Sequence, residues 1–109
     1  MTRIGDTLGY ARVSTQDQSL TGQVAQLQKA GAIRVFEDVV SGKQFDRPGL
    51  AALLDHARPG DNLAITRLDR LGRSLKELLE TVENLKAQNI GLISLEERID
   101  TTSAAGELI

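Results

Sequence analysis

The sequence predicts an α/β domain, a mainly parallel sheet of four to five strands flanked by helices. Short apolar segments with strand periodicity alternate along the chain with longer segments of helical periodicity. Two helical segments open on capping-box spacings, Thr15 to Gln18 and Ser74 to Glu77, and a third opens on Pro48, whose fixed φ suits a first helical turn. Strands separated by helices return in the same direction, so they pair in parallel through right-handed crossovers.

Thr7 to Val13 is the first strand, with Leu8, Tyr10 and Arg12 on one parity and Gly9, Ala11 and Val13 on the other. The helix after Thr15 turns Leu20, Val24 and Leu27 inward and ends near Ala30-Gly31. Ile33 to Phe36 is a short second strand. Asp38 to Arg47 is polar and contains glycine, which predicts a mobile loop. Pro48 then begins a helix with Leu50, Leu53 and Leu54 on its apolar face and Asp46 as its candidate cap.

Arg58-Pro59-Gly60-Asp61 is a turn, and Asn62 to Thr66 is the third strand. Asp69 or Ser74 caps the longest helix, whose buried stripe is Leu75, Leu78, Leu79, Val82 and Leu85 and which ends at Asn89. Gly91 to Leu95 is the fourth strand. Ala104 to Ile109 has the pattern of a first helical turn capped by Thr102 or Ser103. A helix of one turn is marginal, so a fragment of a longer protein is expected.

A chain of 109 residues holds one modest core. Apolar residues are 40% and charged residues 26%, an ordinary globular balance. With no Trp, one Tyr and two Phe, that core must be built from Leu, Val, Ile and Ala. Cysteine is absent, which excludes disulfides, thiolate metal sites and a cysteine nucleophile, and suits a cytoplasmic protein. No apolar run approaches the roughly 18–20 residues that cross a bilayer. The first residues carry no apolar signal segment. Net charge is −2 and the pI about 5.3, so there is no whole-chain basic footprint for nucleic acid. A local basic site remains open.

Candidates for such a site lie in two segments. Ser14 follows Arg12 by two residues, where a strand gives way to a helix start. In an open α/β sheet, functional groups collect beyond the carboxyl ends of the strands, and two residues of like strand parity project to the same side. Ser14 or Thr15 can equally serve as a helix cap. Arg67, Arg70 and Arg73 lie three apart and would share one face of a helix. If Asp69 is the cap, Arg70 and Arg73 stand at a helix N-terminus, where an exposed cation costs roughly 0.3–1 kcal/mol. An anion held by that N-terminus and by the guanidinium forks accounts for the placement. Solvated arginines paired with Asp69 or Glu77 are the alternative.

The segment Ser41-Gly42-Lys43-Gln44-Phe45-Asp46-Arg47-Pro48 is either a basic loop able to close over a phosphate or an ordinary solvated loop. His56, the single histidine, has no partner at metal-ligand spacing and belongs on a helix surface. No catalytic triad, P-loop or zinc site can be assembled.

Four blocks in order resemble the serine recombinases, the resolvase/invertase family. They are Tyr10-Ala11-Arg12-Val13-Ser14-Thr15 with Gln18-Ser19-Leu20 and Gln23; Ser41-Gly42 with Asp46-Arg47-Pro48-Gly49-Leu50; Gly60-Asp61 with Leu68-Asp69-Arg70-Leu71-Gly72-Arg73-Ser74; and Ile99-Asp100-Thr101-Thr102-Ser103. The resemblance implies a resolvase-like catalytic domain over residues 1–100 and the start of a truncated dimerisation helix over 101–109, with a C-terminal DNA-binding domain absent from this chain.

It also implies that Ser14 attacks a DNA phosphodiester to form a 5′-phosphoserine link, with strand exchange and religation and without ATP, metal or other cofactor. Arg12, Arg70 and Arg73 would hold the scissile phosphate, and Arg47 would enter from the loop. Asp69 would orient the arginines or assist proton transfer, with water as the other candidate base. Gln18, Gln23 and Ser41 would support the site. The implied partners are double-stranded DNA at a specific site and, in the full-length protein, a homodimer and a synaptic homotetramer. A reading of another class is a non-catalytic α/β module that binds a phosphate-bearing ligand or a protein partner. A serine phosphohydrolase is a third, and it lacks an evident water-activating group.

Overall fold

β1 (Thr7–Ser14) has a parallel neighbour on each edge. It pairs with β2 (Arg34–Val40) from Leu8↔Arg34 to Ser14↔Val40, but with β3 (Asn62–Ile65) only from Thr7 to Gly9. The computed structural model describes residues 5–14, 20–40, 48–72 and 74–101. Beyond β3 it adds a parallel β4 (Gly91–Ser94) and an antiparallel β5 (Ile99–Asp100), giving the order β2-β1-β3-β4-β5. The expected mainly parallel sheet is thus present with five strands. Its order reverses direction at β1/β3, the position where ligands sit in doubly wound sheets.

α1 (Leu20–Lys29) covers one face of the sheet, where Leu27 packs on Ala11 and Ala64. α2 (Pro48–His56) and α3 (Leu75–Ala87) cover the other, where Leu50, Leu53 and Leu85 join Leu8, Tyr10, Leu63 and Ile65. Both parities of β1 are buried, as a strand covered on two faces requires. The core is aliphatic apart from Tyr10 and Phe36. His56 is exposed on α2, its ring tilted against Phe36 at 6.0 Å.

The second strand departs from expectation. It runs Arg34–Val40, so Asp38 is a buried strand residue and not the start of a loop. Burial is tolerated because the carboxylate is saturated: Oδ2 accepts the Tyr10 hydroxyl at 2.7 Å and the Leu50 N–H at 3.1 Å, and Oδ1 accepts the Gly49 N–H at 2.7 Å. Asp38 thereby supplies acceptors for two of the orphan amides that open α2. Asp46 lies outside the described residues. Gly49 is required at this approach, since a Cβ there would stand 2.3 Å from the Glu37 carbonyl oxygen.

α3 starts where the capping box places it. Ser74 has extended backbone and accepts the Glu77 N–H at 3.1 Å. The alternative cap, Asp69, instead sits inside a separate 3₁₀ turn, Leu68–Arg70. The stripe is narrower than expected. Leu85 is buried, and Leu78 and Val82 pack against the core, but Leu75 and Leu79 are 70% and 55% exposed. At about 100° per residue the latter two fall on the flank of a contact centred on Leu78 and Leu85, and Thr81 completes the buried side. Asn89, at φ 62, ends the helix as expected, with the Ile90 N–H reaching back to the Leu85 carbonyl at 2.9 Å.

Candidate active site

β1 runs through Ser14, one residue further than its apolar pattern indicated, so Arg12 and Ser14 share strand parity at its carboxyl end. Past Gly9 the strand has parted from β3, and its backbone needs other partners on that edge. Gln23 of α1, itself 6% exposed, supplies them at Arg12. Its Oε1 accepts the Arg12 N–H at 3.3 Å and its Nε2 donates to the Arg12 carbonyl at 3.1 Å. The amide stands where a neighbouring strand would stand, and it fixes the backbone from which Arg12 projects.

Across the gap, the chain leaves β3 through Thr66 and Arg67 into the 3₁₀ turn. Arg12 Nη2 donates to the Asp69 carbonyl oxygen at 2.7 Å, which ties the end of β1 to this turn. The Asp69 carboxylate lies 3.5 Å from Arg67 Nε and 3.9 Å from Arg70 Nε, and Arg67 Nε also lies 3.6 Å from Glu96. Arg70 Nε is buried and has no hydrogen-bond acceptor among the described residues. A buried donor left unpaired costs about 1–3 kcal/mol, more when charged. The turn is held close to α3 by Gly72, where a Cβ would stand 2.6 Å from the Leu78 nitrogen.

Arg12, Gln23, Asp69 and Arg70 are therefore brought together at the β1/β3 gap. The shared helical face expected of Arg67, Arg70 and Arg73 is not realised, because a 3₁₀ turn stands between β3 and α3, with Arg67 preceding it and Arg70 at its end. Arg73, Arg47, Gln18, Ser41 and the rest of the 41–47 segment lie outside the described residues, as does the Ser14 side chain. Among the described residues, no group of three or more His, Cys, Asp or Glu side chains could hold a metal ion. No helix among them is long and apolar enough to cross a membrane.

Sequence reasoning missed Asp38 and Glu97. Glu97 accepts the Leu68 N–H, with both carboxylate oxygens at 3.3 Å, and also the Ser94 hydroxyl. Its carboxyl is held below its ordinary pKa chiefly by the Ser94 hydroxyl; burial opposes this, and the Leu68 amide adds a lesser lowering. A single tyrosine in an aliphatic core was a usable signal for Asp38, since a buried phenol needs a partner. An exposed acid in a turn offers none for Glu97.

Residues 7–109 match the family model for the resolvase N-terminal domain. The chain belongs to the serine recombinase family. Over 99 residues it is 46% identical to the serine recombinase gin of Escherichia phage Mu, covering 91% of this chain and 51% of that protein. Over 100 residues it is 45% identical to the DNA-invertase hin of Salmonella typhimurium strain LT2, covering 92% and 53%. The chain thus spans about half the length of the curated relatives it matches. Among solved structures it resembles the N-terminal catalytic domain of TP901-1 integrase, with a TM-score of 0.75 at 31% identity over 94% of this chain and 86% of that one. A resolvase family site-specific recombinase from Streptococcus pneumoniae shares the fold, with a TM-score of 0.71 at 19% identity over 95% and 82%. These serine recombinase relatives bear out the family read from the four sequence blocks.

Proposed function

We propose that this chain is the catalytic domain of a site-specific DNA recombinase. Its substrate is a phosphodiester in double-stranded DNA, reached in the cytoplasm by a protein that also carries a DNA-reading domain and assembles as a dimer and a synaptic tetramer. The Ser14 oxygen attacks phosphorus and the 3′-oxygen leaves, so a P–O bond to serine replaces a P–O bond to the sugar. The serine gives up a proton and the departing 3′-oxygen gains one. Attack by a 3′-hydroxyl of another end reverses both changes, and no bond energy is lost that ATP would need to replace.

The observation that carries this reading is the gathering of Arg12 and Arg70 at the β1/β3 gap, on the strand that ends in Ser14. Arg12 is fixed at both ends, by Gln23 at its backbone and by the Asp69 carbonyl at its guanidinium. The buried Arg70 Nε is a charged donor aimed at no protein acceptor among the described residues. Charge developing on a pentacovalent phosphorus is what such preorganised donors stabilise. Arg73 and Arg47 complete the cation set in this reading, Gln18 and Ser41 support it, and Asp69 keeps the guanidinium groups oriented. Proton removal from Ser14 falls to Asp69 or to water, since arginine is too basic to act as an ordinary base.

The test uses the complete reading frame that carries this chain and supercoiled DNA bearing the sequence that flanks its gene. Quenching with denaturant should trap protein on 5′ ends, and Ser14→Ala should abolish the adduct while leaving fold and DNA binding intact. A covalent adduct that survives in Ser14→Ala removes Ser14 as the nucleophile. Confirmed DNA binding without any adduct in the unaltered protein favours the non-catalytic phosphate-binding module.

A further inference from the structure

The arginine-bearing turn is too short to hold itself. Leu68–Arg70 has 3 residues, and Arg67, which precedes it, makes no side-chain capping bond. Its first amide is satisfied from another part of the chain, by Glu97 in the connection between β4 and β5. That connection is registered against the same segment by the backbone. Leu95 N–H donates to the Ile65 carbonyl at 3.0 Å and Glu96 N–H to the Thr66 carbonyl at 2.9 Å, which prolongs the β3–β4 pairing toward the turn. The tip itself is a set bend, with Arg98 at φ 58 and its N–H returned to the Leu95 carbonyl at 3.3 Å.

Ser94 anchors the arrangement. It is 1% exposed at the end of β4, and its hydroxyl donates to Glu97, which limits where the carboxylate can go. One carboxylate therefore joins a buried β4 residue to the first amide of the turn. One residue further along that turn the Asp69 carbonyl holds Arg12, and one beyond that stands the Arg70 guanidinium.

We infer that Glu97 is a positioning residue: its carboxylate fixes the Leu68–Arg70 turn so that the Asp69 carbonyl and the Arg70 guanidinium keep their places at the β1/β3 gap. The inference rests on the phosphoryl-transfer reading above. Glu97 touches no reacting group and acts only through the turn.

Two measurements on the complete protein test it separately from that reading. Glu97→Ala should speed amide hydrogen exchange at Leu68, Arg70 and Leu71 and leave the amides of β1 unchanged. At saturating DNA it should slow formation of the Ser14 adduct about 10- to 100-fold, the scale of a misplaced catalytic group, with DNA affinity unaltered. Glu97→Gln keeps one acceptor oxygen at the same reach and should recover most of both effects. Unchanged exchange at Leu68, or a loosened turn with a normal cleavage rate, overturns the inference, as does a loss confined to DNA affinity. If the unaltered protein forms no Ser14 adduct, the phosphoryl-transfer reading has failed and takes the positioning role with it. The exchange data still report in that case whether Glu97 holds the turn.

Discussion

At the amino end of the sheet, Asp61 closes the turn between α2 and β3. One carboxylate oxygen accepts the Asp6 N–H at 3.0 Å and the other the Arg58 N–H at 2.9 Å. Around it, Gly60 N–H reaches the Asn89 carbonyl and Gly91 N–H the Asp61 carbonyl, both at 2.9 Å. At the carboxyl end Asp69 is used differently. Its carbonyl takes Arg12, its carboxylate faces two guanidinium groups, and the neighbouring Arg70 Nε is buried with no acceptor among the described residues. In the first arrangement every contact closes a turn; in the second, one contact ties β1 to the turn while a neighbouring donor stays without an acceptor among the described residues. Locally consistent chemistry marks the amino end, and a buried donor without a hydrogen-bond acceptor among the described residues marks the end where the proposed site lies.

The sharpest way to break that comparison is Arg70→Ala. We expect cleavage by the complete protein to fall about 10²- to 10³-fold, as for loss of one preorganised charge-stabilising donor. Thermal stability should hold or rise, because a buried donor without an acceptor is removed. A drop in melting temperature together with near-normal cleavage per folded molecule would assign Arg70 to the scaffold.

Asp38→Ala should have the largest effect on stability, about 3 kcal/mol in denaturant unfolding. It takes an acceptor from a buried phenol and from two helix-opening amides, and a hydrogen bond to a carboxylate is worth about 1.5–3 kcal/mol before relaxation. Tyr10→Phe removes one of those bonds and should cost about 1.5 kcal/mol. Equal losses from the two variants would mean that Asp38 does not hold α2. Asp61→Ala comes next, at about 1–2 kcal/mol, the usual value of a side chain that caps backbone amides. Cleavage per folded molecule should stay near that of the parent. A selective loss of cleavage in Asp61→Ala would erase the distinction between the two ends.

How far all this could be read from residues alone depended on whether the cause was local. Strong strand and helix periods place β1, α2, α3 and β4 to within a residue or two and the end of α1 at Ala30-Gly31, and the Ser74 box sets the start of α3; the Thr15 to Gln18 box lies outside the described residues. β2 is longer than its sequence pattern because an aspartate in a strand reads as a loop. Its burial is made tolerable by Tyr10, 28 positions away, and by α2, which no window along the chain brings together. Leu75 and Leu79 are exposed against their pattern for a related reason: the period identifies an apolar side, and only packing decides how wide a stripe is covered. At the site, resemblance put Arg12, Gln23, Asp69 and Arg70 in one group. It did not disclose that Gln23 replaces a strand, or that the acceptor for Arg12 is a backbone oxygen, which no side-chain identity encodes.

The smallest expected effect is a pH dependence that separates Glu97 from the carboxylates at the amino end. Its carboxyl is held below its ordinary value chiefly by the Ser94 hydroxyl, with the Leu68 amide and the Arg67 charge adding to the effect. A carboxyl whose pKa is lower folded than unfolded binds fewer protons in the native state. Its contribution is therefore fully present above the unfolded value and is lost as pH falls through the folded one. Melting temperatures of the unaltered protein and of Glu97→Gln, compared from about pH 7 down to about pH 3, should differ by a constant amount at the upper end. The two curves should converge only below the ordinary glutamate range, with Leu68 amide exchange in the unaltered protein rising over the same interval. Curves that stay parallel to the acid limit would mean that Glu97 carries no charge-dependent bond to the turn, and the arginines would then be held from the β1 side alone.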